Sequence, residues 1–117
     1  MNLNPRERDV LTVSHVGLLA QRRLARGIKL SYSEAIGLIT LVLLEKGRGD
    51  NNDNDDVTTV SDLMELGRSI LGRNNVKYGV PEMIHTVQIE ITFPDGVKLV
   101  TVHNPISREN GDLELAL

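Results

Sequence analysis

The sequence contains no cysteine and no tryptophan, and its only aromatic side chains are Tyr32, Tyr78 and Phe93. Without cysteine the chain forms neither disulfides nor metal sites with thiolate ligands. With so few aromatic residues, the hydrophobic core must be built from leucine, isoleucine and valine. Hydrophobic residues make up 40% of the 117-residue chain, which is enough for a single modest core.

Long hydrophobic runs are also absent. The longest, residues 36–44, is interrupted by Gly37 and Thr40 and is far shorter than the roughly 20 residues that a membrane-spanning helix needs. Residues 1–7 run directly into charged side chains, without the apolar region of a signal peptide. We therefore expect no membrane association and a cytoplasmic location. The net charge of −3 offers no general attraction to nucleic acid.

Two helices are predicted in the first half of the chain. The first begins with Asn4 as N-cap, Pro5 and Glu7 and should run to about Arg26, before Gly27. Its predicted apolar stripe consists of Val13, Val16, Ala20 and Leu24, widened by Leu11, Leu18 and Leu19. The second helix opens with a capping box, residues 31–34, and has almost no polar face. Because a chain this short covers such a helix with difficulty, we expect a partner to cover part of it.

A polar segment, residues 47–56, separates these helices from a third. Thr58 or Thr59 should cap the third helix, which is predicted to run to Leu71 before Gly72. Its predicted buried side consists of Leu63, Met64, Leu66, Ile70 and Leu71. Pro81 then opens a short helical turn that ends at about Ile84.

The last predicted element is a β-hairpin. Val87, Ile89, Ile91 and Phe93 alternate with polar residues, as in a half-buried strand. Residues 94–96, Pro-Asp-Gly, close the hairpin. A two-residue Asp-Gly turn would need an amide hydrogen that proline lacks. We therefore predict a three-residue loop, with Phe93 opposite Val97 and Ile91 opposite Leu99.

In this register Val100 and Val102 alternate with Val97 and Leu99, so their side chains fall on the strand face opposite the apolar one. One solution is a β-bulge near residues 99–100, which would place Val102 opposite Ile89. The alternative is a strand end buried on both sides by another chain. The predicted fold class is therefore α+β: a small bundle of three main helices and a short one, followed by an antiparallel hairpin.

Few side chains suggest chemistry. His15, His85 and His103 lack the spacing of a metal-binding pair on one helix, so we expect surface or interface roles. The acidic loop, residues 50–56, departs from the calcium-binding EF-hand pattern at its sixth position, Asp55, and its twelfth, Ser61. A solvated loop is the better interpretation.

A basic cluster lies at the end of the first helix. It consists of Arg22, Arg23, Arg26 and Lys29. These cations interact favourably with the negative end of the helix dipole, or they contact phosphates or, as the more plausible partner, an acidic protein surface. A nucleic-acid-binding helical module using Arg22, Arg23 and Arg26 is thus the alternative function, which the overall acidity weighs against. The sequence contains no nucleophile motif, phosphate-binding glycine loop or dinucleotide fingerprint.

Several of these segments closely resemble the gamma subunit, or gamma domain, of urease. The resemblance is carried by residues 3–7, 20–27, 30–35, 80–81 and, most specifically, 92–106. It implies a gamma-like domain over 1–106, with residues 49–57 as an acidic loop insertion. Residues 107–117 resemble the linker of plant and fungal single-chain ureases, and we interpret them as a tail or linker toward a beta-like region of a longer polypeptide.

Ureases hydrolyse urea to ammonia and carbamate at two nickel ions bridged by a carbamylated lysine. Because these ligands belong to the alpha region, the resemblance implies no catalytic, cofactor-binding or metal residue in this chain. It implies a non-catalytic structural module that packs against alpha and beta regions in a trimeric particle. The candidate interface residues are Ile36, Ile39, Leu43, Ile89, Ile91, Phe93, Val100 and Val102.

Overall fold

The computed structural model describes residues 2–47 and 59–117, so the predicted acidic loop lies outside the described residues. Within these ranges the chain has five α-helices, three of them substantial, and a two-stranded antiparallel sheet, which confirms the predicted α+β class. The elements are α1 (Pro5–Ala25), α2 (Tyr32–Gly47), α3 (Val60–Leu66), a 3₁₀ turn (Arg73–Asn75), α4 (Val80–Met83), β1 (Thr86–Phe93), β2 (Gly96–His103) and α5 (Leu113–Ala116).

Capping boxes begin the three substantial helices. In α1 the Asn4 side chain accepts a hydrogen bond from the Glu7 N–H at 2.8 Å, and the Glu7 carboxylate accepts one from the Asn4 N–H at 3.1 Å. Ser31 and Glu34 form the same box at α2. At α3 the cap is Thr59, paired with the third helical residue. These predicted starts are confirmed, as is the end of α1.

α1 packs along α2 at very short range. A Cβ added to Gly17 would lie 2.6 Å from the backbone oxygen of Gly37, so two glycines allow the helices to touch. Contact through this narrow side leaves Leu11, Leu18 and Leu19 exposed. The prediction that these three leucines widen the apolar stripe of α1 is therefore wrong.

α2 is the centre of the fold. It contacts α1, α3, α5 and β1, and these elements bury most of its side chains, including Leu38, Ile39 and Leu43. The chain itself therefore supplies most of the cover for which a partner was expected. In the described ranges no helix combines the length and the apolar character that crossing a bilayer requires.

α3 is shorter than predicted, because it ends at Leu66 rather than Leu71. Gly67 follows it and packs closely against β2, where an added Cβ would lie 2.7 Å from Cγ2 of Val102. The next backbone N–H groups bond three residues back, so the chain turns instead of continuing the helix. Ile70 and Leu71 still enter the core.

The hairpin has a regular register that differs from the predicted one. Phe93 pairs with Gly96 and Ile89 with Val100, so Pro94 and Asp95 form a two-residue turn. This turn needs no amide hydrogen from proline, because Phe93 rather than Pro94 pairs across it.

The predicted three-residue loop and bulge are therefore wrong. With the turn placed one residue earlier, Val100 and Val102 share the buried face with β1. Val97 and Leu99 lie on the opposite face, where both are more than half exposed. Gly96 adopts φ of 128°, a region that favours glycine. The alternative of a strand end covered on both sides by another chain is not needed to explain the pattern.

The segment of residues 107–117 is folded onto the helices. The Arg73 N–H donates to the Arg108 carbonyl oxygen at 2.8 Å. Nε2 of Gln21, on α1, donates to the carbonyl oxygen of Ala116, a buried residue of α5, at 2.8 Å. That this segment leads toward a beta-like region stays a prediction.

Candidate functional site

The eight predicted interface residues divide into two groups. Ile39, Leu43, Val100 and Val102 have no exposed surface, and Ile91 and Phe93 are buried to more than nine-tenths. All six belong to the chain's own core. Little or none of their surface is exposed in this chain, and a partner contact for them stays a prediction.

The other two predicted residues, Ile36 and Ile89, retain surface and meet at one cleft. This cleft lies between the first half of α1, α2 and β1 and has a volume of about 390 Å³. We call it the α1–β1 cleft. It is lined by Arg6, Asp9, Val10, Val13, Ile36, Thr40, Leu44, Thr86, Val87, Gln88, Ile89 and Glu90.

The α1–β1 cleft has aliphatic walls and a charged rim. Val10 and Val13 of α1 and Ile89 of β1 are among its lining residues. At the rim, Nη2 of Arg6 lies 3.2 Å from Oε2 of Glu90, and both side chains are more than half exposed. Such an exposed ion pair contributes little stability. The cleft therefore suits a few apolar side chains of another polypeptide, flanked by polar contacts.

Sequence reasoning missed Val10, Val13 and Leu44 as cleft residues. A local signal existed, because Val10 and Val13 are three residues apart and lie on one side of α1. Their partner strand, β1, follows more than seventy residues later. No local pattern shows which helix face meets it.

The basic cluster is partly engaged in the fold. Nε of Arg23 lies 3.0 Å from Oε2 of Glu34, whose side chain is only 13% exposed. The Arg23 Nε–H has no hydrogen-bond partner, so this contact is an ion pair without a hydrogen bond. Arg22 and Arg26 are exposed on α1 and at its C-cap. The nucleic-acid alternative stays a prediction.

Glu34 is the less exposed partner of this ion pair. The hydrogen bond from the Ser31 backbone N–H holds the pKa of its carboxyl below the ordinary value, against partial desolvation, and the Ser31 hydroxyl and Arg23 act in the same direction. The carboxylate is therefore held in its charged form. Its contacts serve the start of α2 and its junction with α1.

The histidines do not converge. His15, His85 and His103 are all exposed, on α1, before β1 and at the end of β2. Across residues 2–47 and 59–117, no three histidine, aspartate or glutamate side chains are grouped as metal ligands would be.

Comparison with known protein families gives one match. The model of the family described as urease, gamma subunit, matches residues 1–106. The match spans α1 to β2 and stops before the segment that contains α5. The chain therefore belongs to the urease gamma subunit family.

Proposed function

We propose that this chain is a non-catalytic structural module of nickel-dependent urease, the hydrolase that converts urea to ammonia and carbamate. The single observation that carries the proposal is the family match over residues 1–106. In this role the chain packs against the alpha and beta regions of the enzyme and helps to hold them in a trimeric particle. It works in the cytoplasm, as part of the complex.

The donor set of the described residues does not fit a nickel site. A nickel pair needs several imidazole and carboxylate ligands at one place, and the described histidines and carboxylates are not grouped in this way. We therefore assign the metal and the reaction to the alpha region. No catalytic step is assigned to this chain.

The α1–β1 cleft is the surface that we assign to the alpha or beta region. Its walls include Ile36 and Ile89, which are only partly buried, and Val10, which is 41% exposed. Filling the cleft would remove this apolar surface from water, at about 25 cal/mol per Å². The charged rim would then set the orientation of the incoming segment.

The proposed role is tested by reconstitution. The purified chain, supplied with nickel and bicarbonate, should release no ammonia from urea, whereas the same assay with alpha and beta regions present should. The chain should also co-purify with those regions. Ammonia release by the chain alone would overturn the non-catalytic assignment, and failure to co-purify would overturn the structural one.

The cleft assignment has its own matched pair of variants. Val10→Lys places a charge on the cleft wall, whereas Leu99→Lys places the same charge on the outer face of the hairpin, at a side chain that is 55% exposed. Val10→Lys should weaken binding to the alpha and beta regions by at least about tenfold, and Leu99→Lys should not. Equal binding by both variants, with native circular dichroism, would show that the cleft is not the contact.

A further inference from the structure

Asn110 is the only asparagine in the sequence that a glycine follows. An asparagine in this setting is prone to deamidation, because glycine has no side chain to keep its backbone nitrogen away from the asparagine side chain. Asn4 and Asn104 precede proline, which has no N–H and cannot react in this way. The sequence therefore singles out one residue for this chemistry, and it lies within residues 107–117.

The two reacting groups, the Asn110 side chain and the Gly111 backbone nitrogen, are both available. The Asn110 side chain is exposed, and its Oδ1 accepts a hydrogen bond from Nδ2 of Asn74 at 2.8 Å. This bond draws electron density from Cγ of Asn110, which favours attack at that carbon. The Gly111 N–H makes no backbone hydrogen bond within the described residues, so none has to break before it reacts.

The backbone at Gly111 is nevertheless packed too closely for the reaction to occur in place. A Cβ added to Gly111 would lie 2.6 Å from Oδ1 of Asn75 and 2.7 Å from the backbone oxygen of Ile70. Attack requires the peptide between Asn110 and Gly111 to rotate until the Gly111 nitrogen meets Cγ. With these atoms at such short range, the peptide does not rotate while residues 107–117 are docked on the helices.

Few contacts hold residues 107–117 in the docked position. Three backbone hydrogen bonds connect them to residues 69–74, and the side chain of Gln21 donates one more to the Ala116 oxygen. Ala116 is the only buried residue among them, and Leu115 is partly buried. A segment with so few buried apolar contacts opens locally while the rest of the domain stays folded.

We propose that Asn110 is a deamidation site, and that its conversion to isoaspartate releases residues 107–117 from the helices. In the opened segment the Gly111 nitrogen loses its proton to hydroxide and attacks Cγ of Asn110. The bond from nitrogen to Cγ forms, the bond from Cγ to Nδ2 breaks, and ammonia leaves after taking a proton from water. Water then hydrolyses the cyclic succinimide at either of its carbonyl carbons. The products are aspartate and isoaspartate, whose main chain runs through Cγ and is one carbon longer.

The isoaspartate product does not fit the docked position. A Cβ added to Gly72 would lie 2.4 Å from the carbonyl carbon of Asn110, so there is no room for an extra main-chain carbon. The backbones of Glu109 and Asp112, on either side, are hydrogen-bonded to residues 69–74, and a longer chain between them moves these bonds out of register. The aspartate product keeps the normal main chain and docks as before. Formation of isoaspartate therefore makes the opening irreversible.

Mass spectrometry of peptides from the intact chain, aged in mildly alkaline buffer, tests the site. Asn110 should lose its amide nitrogen faster than Asn74 and Asn75, which no glycine follows. Gln21→Ala removes the side-chain hydrogen bond to α5 and should raise the rate at Asn110 roughly three- to tenfold, because the opened state becomes more populated. Gln88→Ala makes the same change at an exposed position of β1 and should leave the rate unchanged.

Amide hydrogen exchange then tests the release, after chromatography has separated the isoaspartate form. This form should lose protection at the N–H groups of Arg73 and Asp112, which donate between the segment and the turn after α3. The amides of α1 and α2 should stay protected. Asn110→Asp is the matched control, because it reproduces the charge of the product without lengthening the main chain. It should keep the protection of the parent.

Three results would overturn the proposal. The first is an Asn110 amide that persists as long as that of Asn74. The second is an unchanged rate in Gln21→Ala, with native circular dichroism, which would show that opening is not required. The third is an isoaspartate form that protects Asp112 as the parent does. None of these measurements involves the alpha or beta regions, so their outcome is independent of the proposed function.

Discussion

Gly17 determines how closely α1 and α2 approach each other. An added Cβ would lie 2.6 Å from the Gly37 oxygen and 2.8 Å from Cβ of Leu41. A backbone oxygen cannot rotate away as a flexible side chain can, so α1 itself would have to shift. In an exposed helix interior alanine is preferred over glycine by about 1 kcal/mol. Here packing opposes that preference.

We therefore expect Gly17→Ala to lower the free energy of unfolding by about 1–3 kcal/mol, as overpacking of a tight core does. Urea denaturation followed by circular dichroism measures the change. Thr12→Ala, at an exposed position of the same helix, should change stability by no more than about 0.5 kcal/mol. A Gly17→Ala variant that is more stable than the parent would show that the helices separate at little cost.

Glu34 gives the fold a dependence on pH. Because its pKa is lowered in the folded state, the folded chain binds a proton less readily than the unfolded chain. The stabilisation is therefore present above the ordinary carboxyl value of 4.5 and is lost as the pH falls through the folded pKa.

Glu34→Gln keeps a capping side chain and removes the charge. We expect it to cost about 1 kcal/mol near neutral pH, the difference between a charged and a neutral hydrogen bond. The stability gap to the parent should close in acid, as measured by urea denaturation between pH 7 and 3. Glu82→Gln, in an exposed pair with Arg73, should cost less than about 0.5 kcal/mol. If the free energy of unfolding of Glu34→Gln differs from that of the parent by the same amount at every pH, the charged Glu34 carboxylate is not the source of the stabilisation.

Among the elements, α5 shows how a segment outside the family match contributes to the domain. An added Cβ on Gly72 would lie 2.4 Å from the carbonyl carbon of Asn110, so the two backbones are in contact. The Asp112 N–H donates to the backbone carbonyl oxygen of Ser69 at 2.9 Å. Backbone contacts therefore hold residues 107–117 against the turn that follows α3.

Removal of residues 107–117 should lower the free energy of unfolding by about 2–4 kcal/mol, because several backbone hydrogen bonds and the buried Ala116 are lost. Thermal and urea denaturation of the truncated chain measure this loss. Leu117→Ala, at a side chain that is 55% exposed, is the matched control and should change little. Equal stability of the truncated and intact chains would show that residues 107–117 contribute nothing to the free energy of unfolding.

The helix starts were predictable from sequence, because a capping box is decided by residues three apart. The hairpin register was not, because a shift of one residue in the turn exchanges the two faces of the returning strand. Two turns require no hydrogen bond from the N–H that Pro94 lacks: a three-residue loop over residues 94–96 and a two-residue turn over residues 94–95. Only the packing of Val100 and Val102 into the core selects the second. The end of α3 was missed for a similar reason, since Gly67 stops the helix through its contact with β2.

The candidate site was predictable only in part. The apolar character of α2 and the hairpin was evident, but not which side chains the chain covers itself. Ile39 and Ile36 differ little in sequence terms, yet one is fully buried and the other lines the α1–β1 cleft. Burial depends on helix crossing and sheet placement, which join residues far apart in the chain. The urease resemblance came from residue identity, and the family match supports it.

For the whole molecule, the helices and the hairpin share one core. β1 contacts α2, and β2 contacts α3. A two-stranded hairpin is marginally stable alone, so β1 and β2 depend on the helices that cover their inner face. The loss of one core side chain in the hairpin should therefore lower the stability of the helices as well.

Ile91, at 2% exposure, tests this coupling, because an added Cβ on Gly47 at the end of α2 would lie 2.5 Å from its Cγ2. We expect Ile91→Ala to lower the free energy of unfolding by about 2–5 kcal/mol. Helical circular dichroism and hairpin amide exchange should shift together. Leu99→Ala, on the outer face of the hairpin, should shift neither. A hairpin that opens while the helical signal keeps its midpoint would divide the domain into two units, since a shared core requires both to lose stability at once.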